Sequence, residues 1–339
     1  MARGGIRLKP IRPWTDGDVA TLVELYQQGQ SNVQIAQAIS RSVEAIGGKL
    51  RVLRATLPKR TKAQRHLIYR WRDHSQDEEF FDEPKAKAER EAIAKEFRGR
   101  ELRILVLSDI HGLFRHHQVL EEADKAITAH RLNLLVIPGD VLDQHAASRF
   151  VKYKHLDMQD EVAEMARVLK HFSKRVPRVV ITQGNHDMRA ARLIAQQVPQ
   201  LSAVLKDATN FLGQCAEGLT NVTPMESWWV KIGDVVFCHR EKYTKQERTS
   251  GESNLRYFEN RGVEDIGLVV QGHVHRTCLI PLKRNTWYME SPMCAYRADY
   301  TYESRSLDAI LVTGYAIVHI NKDGKADINR TRPYFVSWE

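Results

Sequence analysis

Residues able to hold metal ions gather five times in this chain, each time directly after an apolar run. Leu102–Leu107 ends in Ser108-Asp109-Ile110-His111-Gly112, and Leu132–Ile137 ends in Pro138-Gly139-Asp140. Val179–Thr182 leads into Gln183-Gly184-Asn185-His186-Asp187. Val235–Cys238 leads into His239, and Gly267–Val270 into Gly272-His273-Val274-His275. Short continuous apolar runs of this kind read as buried parallel strands. In open α/β sheets, ligand sites form beyond the carboxyl ends of the strands, so one crevice can gather all five loops. Its inventory is Asp109, His111, Asp140, Asn185, His186, His239, His273 and His275. Mixed carboxylate and imidazole donors suit Mn²⁺, Fe²⁺ or Zn²⁺ better than Mg²⁺. So many donors exceed the needs of one four-coordinate zinc and match two ions sharing a bridging carboxylate.

Taken singly, these pieces carry little. Gly-Asp commonly marks a turn, and an isolated His239 would read as a satisfied core histidine. Their order is what carries weight. The series D-x-H, G-D, G-N-H-[DE], H, G-H-x-H is filled at every position, and over roughly residues 101–320 the chain resembles the calcineurin-like metallophosphoesterase family. The resemblance implies a two-sheet β-sandwich flanked by helices, an α/β fold with the metals at one edge. It further implies that Asp109, His111 and His275 hold one ion, that Asn185, His239 and His273 hold the second, and that Asp140 bridges them. His186 corresponds to the family histidine that contacts the phosphoryl group and assists the leaving group. Mn²⁺ is the expected ion, with Fe²⁺ or Zn²⁺ as alternatives and Mg²⁺ the least suited.

Two positions depart from the family pattern. Gly139-Asp140-Val141-Leu142-Asp143-Gln144 lacks the Arg-Gly that follows in protein Ser/Thr phosphatases, and His239 is followed by Arg240 where Gly is common. The chemistry implied is hydrolysis of a phosphoester. Two ions about 3.5–4 Å apart would draw charge from a phosphate oxygen and lower the pKa of the attacking water. His186 would assist the departing alkoxide. Asp187 is counted with the catalytic residues, either orienting His186 or capping a turn. Arg189 and Arg192, three residues apart on an expected helix, share one face and could meet a second substrate phosphate or only solvent. Trp228 and Trp229 either stack bases at the site margin or pack in the core. No P-loop, serine nucleophile motif or GxGxxG accompanies them, so a nucleotide-driven motor and a dehydrogenase are unsupported.

The elements that must position these loops occupy only part of the 339 residues. A helix carrying Val119, Leu120, Ala123 and Ile127 separates the first two strands, and one around Val162, Met165, Leu169 and Phe172 precedes the third. The preceding chain differs in character. Residues 1–72 hold 14 Lys and Arg against 4 Asp and Glu, whereas the remainder holds 37 against 38. The net charge of +9 therefore belongs to the N-terminal fifth, the asymmetry of a nucleic-acid-facing module joined to a neutral body. Three short helices are expected between residues 14 and 54. The first carries Val19, Leu22, Val23 and Tyr26 and is capped by Thr15 or Asp16. The second opens on Ser31 with Gln34 as a capping box and carries Ile35, Ala38 and Ile39. The third carries Val43, Ile46, Leu50 and Leu53, with Lys49, Arg51 and Arg54 off that stripe. This pattern resembles the Myb/SANT-like and GcrA-type helix-turn-helix domains, which implies that Lys49, Arg51 and Arg54 face DNA. The expected organisation is a helix-turn-helix domain over 1–57, a charged helical linker over 58–100 and a phosphoesterase domain over 101–339.

Other features narrow the function further. No apolar stretch reaches the length of a membrane span, and Met1 to Lys9 is not followed by an apolar signal core. Cys215, Cys238, Cys278 and Cys294 form no CxxC, which fits free thiols in the cytoplasm. The leading expectation is a nuclease-like two-metal phosphodiesterase acting on DNA. A phosphomonoesterase or protein phosphatase localised by the N-terminal module, and a DNA-binding regulator with a secondary phosphoesterase domain, are the alternatives. A protein partner or self-association stays open.

Overall fold

The apolar runs beyond residue 101 become strands covered on both faces. The computed structural model describes residues 13–28, 35–36, 38–41, 43–53, 83–148, 156–202, 205–283, 285–296 and 311–336. The chain divides into two units, Met1–Glu78 and Glu79–Glu339.

In the second unit, β1 (Leu102–Val106), β2 (Leu134–Pro138), β3 (Val179–Thr182) and β4 (Val222–Pro224) run parallel. Five strands follow in the chain: β5 (Trp229–Ile232), β6 (Val235–Cys238), β7 (Leu268–Gln271), β8 (Cys278–Pro281) and β9 (Trp287–Glu290). They form the second sheet in the order β5-β6-β7-β9-β8. Last come β10 (Gly314–Ile320), antiparallel to β1, and β11 (Arg332–Phe335), antiparallel to β10. They complete the first sheet, ordered β11-β10-β1-β2-β3-β4. Side chains alternate across each strand. Ile104, Val106, Leu134 and Val136 therefore meet Val235, Phe237, Leu268 and Val270 between the sheets. Leu105, Leu107, Leu135 and Ile137 face the other way, towards Val119 and Ala123 of one helix (His117–Ala129) and Met165, Leu169 and Phe172 of another (Met158–Arg175). A third helix (Glu247–Glu259) covers the outside of the second sheet with Leu255 and Phe258. The result is an α/β sandwich of two mixed sheets.

The helix over Glu83–Glu96 differs from an exposed linker. Its Ala86 and Ile93, and Phe97 just after it, are buried, and the last two join the core between the sheets. Arg90 lies 4.3 Å over the Trp229 ring, and Lys85 pairs with Glu226 at 2.7 Å. Residues 83–97, within the expected linker, therefore pack with the body that follows them. Three widely spaced apolar positions among charges are a faint stripe, yet burying Phe97 alone is worth about 1.5–3 kcal/mol.

In the first unit, one helix (Asp16–Gln27) starts at Thr15, whose Oγ1 accepts from the Asp18 backbone N–H at 3.1 Å. The Asp18 carboxylate in turn accepts from the Thr15 N–H, closing a capping box. A second helix spans Val43–Val52, and residues 35, 36 and 38 are helical. Leu22, Ile35, Ala36, Ile39 and Ile46 form a small core flanked by Trp14, Leu50 and Leu53. The Arg41 guanidinium sits 4.1 Å over Trp14 and donates to the Pro13 carbonyl and Asp18. The expected Ser31–Gln34 capping box lies outside the described residues. Among the described residues, no helix is long and apolar enough to cross a membrane.

Candidate metal centre

All five strand-end loops converge. Asp109 and His111 follow β1, Asp140 follows β2, Asn185 and His186 follow β3, His239 follows β6, and His273 and His275 follow β7. Donor atoms of Asp109, His111 and His275 form one cluster within 4.8 Å of one another, and those of Asp140, His239 and His273 form a second. Asp140 also groups with His111 and His186, so it lies between the two. Convergence requires unusual backbone. Among the described residues, ten non-glycine residues have positive φ, and Asp109, His111, Asp140, Gln144, His273 and His275 are six of them. Such conformations cost on the order of 1–3 kcal/mol each and gather where function demands them. Gly139, with φ +81°, and Gly184 make room: a Cβ on the first would clash with the His239 ring, and on the second with the Asp140 carboxylate.

Hydrogen bonds fix how each donor points. His239 Nδ1 donates to the Pro138 carbonyl at 2.7 Å, which turns Nε2 towards Asp140 Oδ2 at 3.0 Å and Asn185 Oδ1 at 3.1 Å. Asp140 Oδ1 accepts from the His186 backbone N–H at 2.8 Å, while Oδ2 is buried without a hydrogen bond. In the other triad, His111 Nδ1 faces Asp143 Oδ1 at 3.2 Å, and its Nε2 meets His275 Nε2 at 3.2 Å. His275 Nε2 lies 3.2 Å from Asp109 Oδ1. Carboxylate and imidazole donors packed this closely, most of them buried, form a set that fits divalent metals.

The electrostatics agree. Burial alone would lower His239, but Asp140 and Asp109 push it up to about 10. His273 falls to about 3 through burial and then the charge of His239. Burial would raise Asp109, yet His275 and His239 hold it at about 2. Burial likewise opposes ionisation of Asp140, and the surrounding His186, His239 and His111 hold it well below the carboxylate range. The carboxylates stay charged and draw positive charge to the centre.

Asp187 does not orient the His186 ring. Its Oδ1 accepts from the Leu142 N–H and its Oδ2 from the Gly184 N–H, both at 2.8 Å, so it clamps two loops together. Burial, then Asp140, raise it to about 7. The residue that orients His186 is Asp143, whose Oδ1 accepts from His186 Nδ1 at 2.7 Å and also holds His111. A second carboxylate three residues after Asp140 was the available signal; within a turn-like stretch it resembles a capping residue. Glu161, buried in the helix Met158–Arg175, in turn accepts from the Asp143 and Gln144 backbone N–H groups.

Arg189 reaches this group. Its Nη1 donates to the Asp143 carbonyl at 2.8 Å, and its Nη2 lies 3.0 Å from His186 Nε2. Arg192 instead pairs with Glu241 at 2.6 Å. Arg240 needs no left-handed backbone and turns away, donating to Ser253 and Asn254. Trp228 packs in the core against Tyr257 and Phe258, and Trp229 against Phe258. Lys49 lies in the first unit, 5.5 Å from the Trp14 ring centroid. Arg51 is on the helix Val43–Val52, and Arg54 is outside the described residues.

Buried carboxylates and imidazoles at one edge of a two-sheet sandwich mark a metal-dependent phosphoesterase. The sequence profile of the calcineurin-like phosphoesterases matches residues 102–277, and the chain belongs to that family. Among solved structures it is similar to an archaeal phosphodiesterase, at 15% identity over 69% of this chain and 100% of that one, with a TM-score of 0.37. It is also similar to a single mutant of Vps29 from Entamoeba histolytica, at 13% identity over 70% of this chain and 100% of that one, TM-score 0.36. A third is YfcE, a phosphoesterase from E. coli, at 13% identity, 70% and 100% coverage and TM-score 0.34. A comparison with curated proteins gave no match.

Proposed function

We propose that this chain is a two-metal, nuclease-like phosphodiesterase that cleaves DNA, with residues 1–57 acting as a helix-turn-helix targeting module. The observation that carries the catalytic half is Asp140, shared between the donor clusters with one buried oxygen lacking a hydrogen bond. In this reading Asp109, His111 and His275 hold one ion, Asn185, His239 and His273 the other, and Asp140 bridges them. When bound, the two ions would offset the charge of the phosphate and lower the pKa of the attacking water. The protein's own groups do the rest. Asp143 fixes the His186 ring through Nδ1, so that Nε2, once the ring has taken up a proton from solvent, would deliver it to the leaving oxygen. Arg189, now against that Nε2, turns to a phosphate oxygen.

The DNA half is supported by charge. The whole positive excess lies in residues 1–72, where Lys49, Arg51 and Arg54 would neutralise phosphates. Mn²⁺ is the proposed ion, and four free cysteines fit the cytoplasm as the compartment. The test offers Mn²⁺-loaded protein single- and double-stranded DNA, bis-p-nitrophenyl phosphate and p-nitrophenyl phosphate side by side. Turnover of DNA and the diester is expected. Turnover of the monoester alone would replace the nuclease reading with a phosphomonoesterase.

A further inference from the structure

An exposed aromatic ring stands beside the metal centre on an unusually well-braced loop. Tyr243 is 51% exposed, and its ring centroid lies 5.5 Å from that of His273 at an interplanar angle of 71°. The loop that carries it, residues 240–246, is fastened on both sides of the ring. Arg276, directly after His275, donates to the Thr244 carbonyl at 3.0 Å and to the Lys245 carbonyl at 2.7 Å. The same guanidinium is held by both oxygens of the fully buried Glu290, at 2.9 and 3.1 Å, and Tyr288 Oη donates to that carboxylate. Ser250 Oγ accepts from the Thr244 N–H at 2.8 Å. Upstream, Gln271 Nε2 donates to the Arg240 carbonyl at 2.7 Å, and Arg192 pairs with Glu241.

A buried Arg–carboxylate pair adds little net stability against an apolar substitute of the same size. What the Glu290–Arg276 pair does supply is a fixed position for two consecutive carbonyls, and hence for the ring beside them. Tyrosine has few rotatable bonds and loses little entropy when a flat ligand stacks on it. Lys242 and Lys245 flank Tyr243 and are exposed. Cations interleaved with an aromatic ring are the surface that tracks an unpaired nucleic-acid strand, phosphate by phosphate and base by base.

We infer that Tyr243 is a specificity-determining residue: it stacks the nucleobase next to the scissile phosphate, on a mount built by Arg276 and Glu290. The substrate class is a nucleoside-bearing phosphodiester whose base is unpaired at the site. This rests on the phosphodiesterase reading and narrows it.

Thymidine 5′-(p-nitrophenyl phosphate) and ethyl p-nitrophenyl phosphate share a leaving group and differ in the nucleoside. With the Mn²⁺-loaded full chain, Tyr243→Ala should raise KM for the thymidine ester about 5- to 100-fold, the span of one base–aromatic stack. KM for the ethyl ester and kcat for both should stay within about two-fold, the pattern of lost binding that is equal in the ground and transition states. Tyr243→Phe should restore the wild-type KM. Equal changes in both esters, or none, would overturn the inference and leave the phosphodiesterase reading standing. If the wild type cleaves neither ester, that reading fails, and binding of a tetranucleotide containing 2-aminopurine decides the stack. Fluorescence quenched by the wild type and not by Tyr243→Ala supports it; identical fluorescence with both refutes it.

Discussion

The strand-end loops of the phosphoesterase body and the helices of the N-terminal unit carry charge in opposite ways. The body is close to neutral, with 37 cations against 38 anions beyond residue 72, yet it buries Asp109, Asp140 and Asp143 among histidines, with Asp109, His111, Asp140, His273 and His275 on left-handed backbone. The N-terminal residues carry a large excess of cations, but their described helices are ordinary: a capped first turn, a core of five side chains and an arginine lying on a tryptophan. Buried like charges and strained dihedrals oppose folding, so their concentration at one sheet edge marks a function that stability cannot explain. An excess of cations spread along the sequence marks an affinity without an address. Local cost identifies chemistry, whereas diffuse charge identifies only a kind of partner.

Breaking one region should spare the other. The largest effect is expected from Asp140→Ala, which removes the carboxylate shared by both donor clusters. Hydrolysis of bis-p-nitrophenyl phosphate should fall below detection while circular dichroism and DNA binding stay as in the wild type. His186→Ala comes next, with kcat lowered by about 10²–10⁴-fold, the contribution of a well-placed acid. Its metal content by elemental analysis should be unchanged; loss of an ion would reassign His186 as a ligand. Asp143→Asn should cost about 10–100-fold in activity, the usual toll for a group that orients a metal ligand. That loss should appear partly as weaker metal affinity, because Asp143 holds His111 as well as His186.

These three residues also differ in how far the sequence revealed them. Asp140 and His186 stand in short motifs directly after β2 and β3, where the carboxyl end of a buried parallel strand is the expected place for a ligand. Asp143 sits in the same loop, but a carboxylate near a turn is usually a cap, and only the fold shows its oxygen between two imidazoles. Asp187 shows the converse: adjacent in sequence to His186, it bonds backbone N–H groups of two loops instead. The helix Glu83–Glu96 was legible as a helix but not as part of the body, because Ala86, Ile93 and Phe97 are too sparse to advertise a buried face. The edge strands β5, β8 and β11 are four residues each and half-exposed, too short for alternation to stand out. Tyr243 is silent in the sequence, since its place beside His273 depends on Arg276 and Glu290 from other elements.

The smallest effect sharpens the other side of the comparison. Reversing charge at Lys49, Arg51 and Arg54 should weaken DNA binding and flatten its dependence on salt, by roughly 0.9 in log–log slope for each phosphate no longer neutralised. Hydrolysis of the small diester should not change, since every proposed metal ligand lies beyond residue 100. An unaltered salt slope would turn the N-terminal unit into a protein-docking module.

The central claim is that two ions share Asp140, and metal counting tests it most directly. Chelator-stripped protein titrated with Mn²⁺ should bind two ions per chain, with diesterase activity rising only as the second site fills. Asp140→Ala should bind at most one tightly and show no activity at any Mn²⁺ concentration tested. A wild-type enzyme fully active with a single ion per chain, or an Asp140→Ala variant that still turns over the diester, would contradict the account.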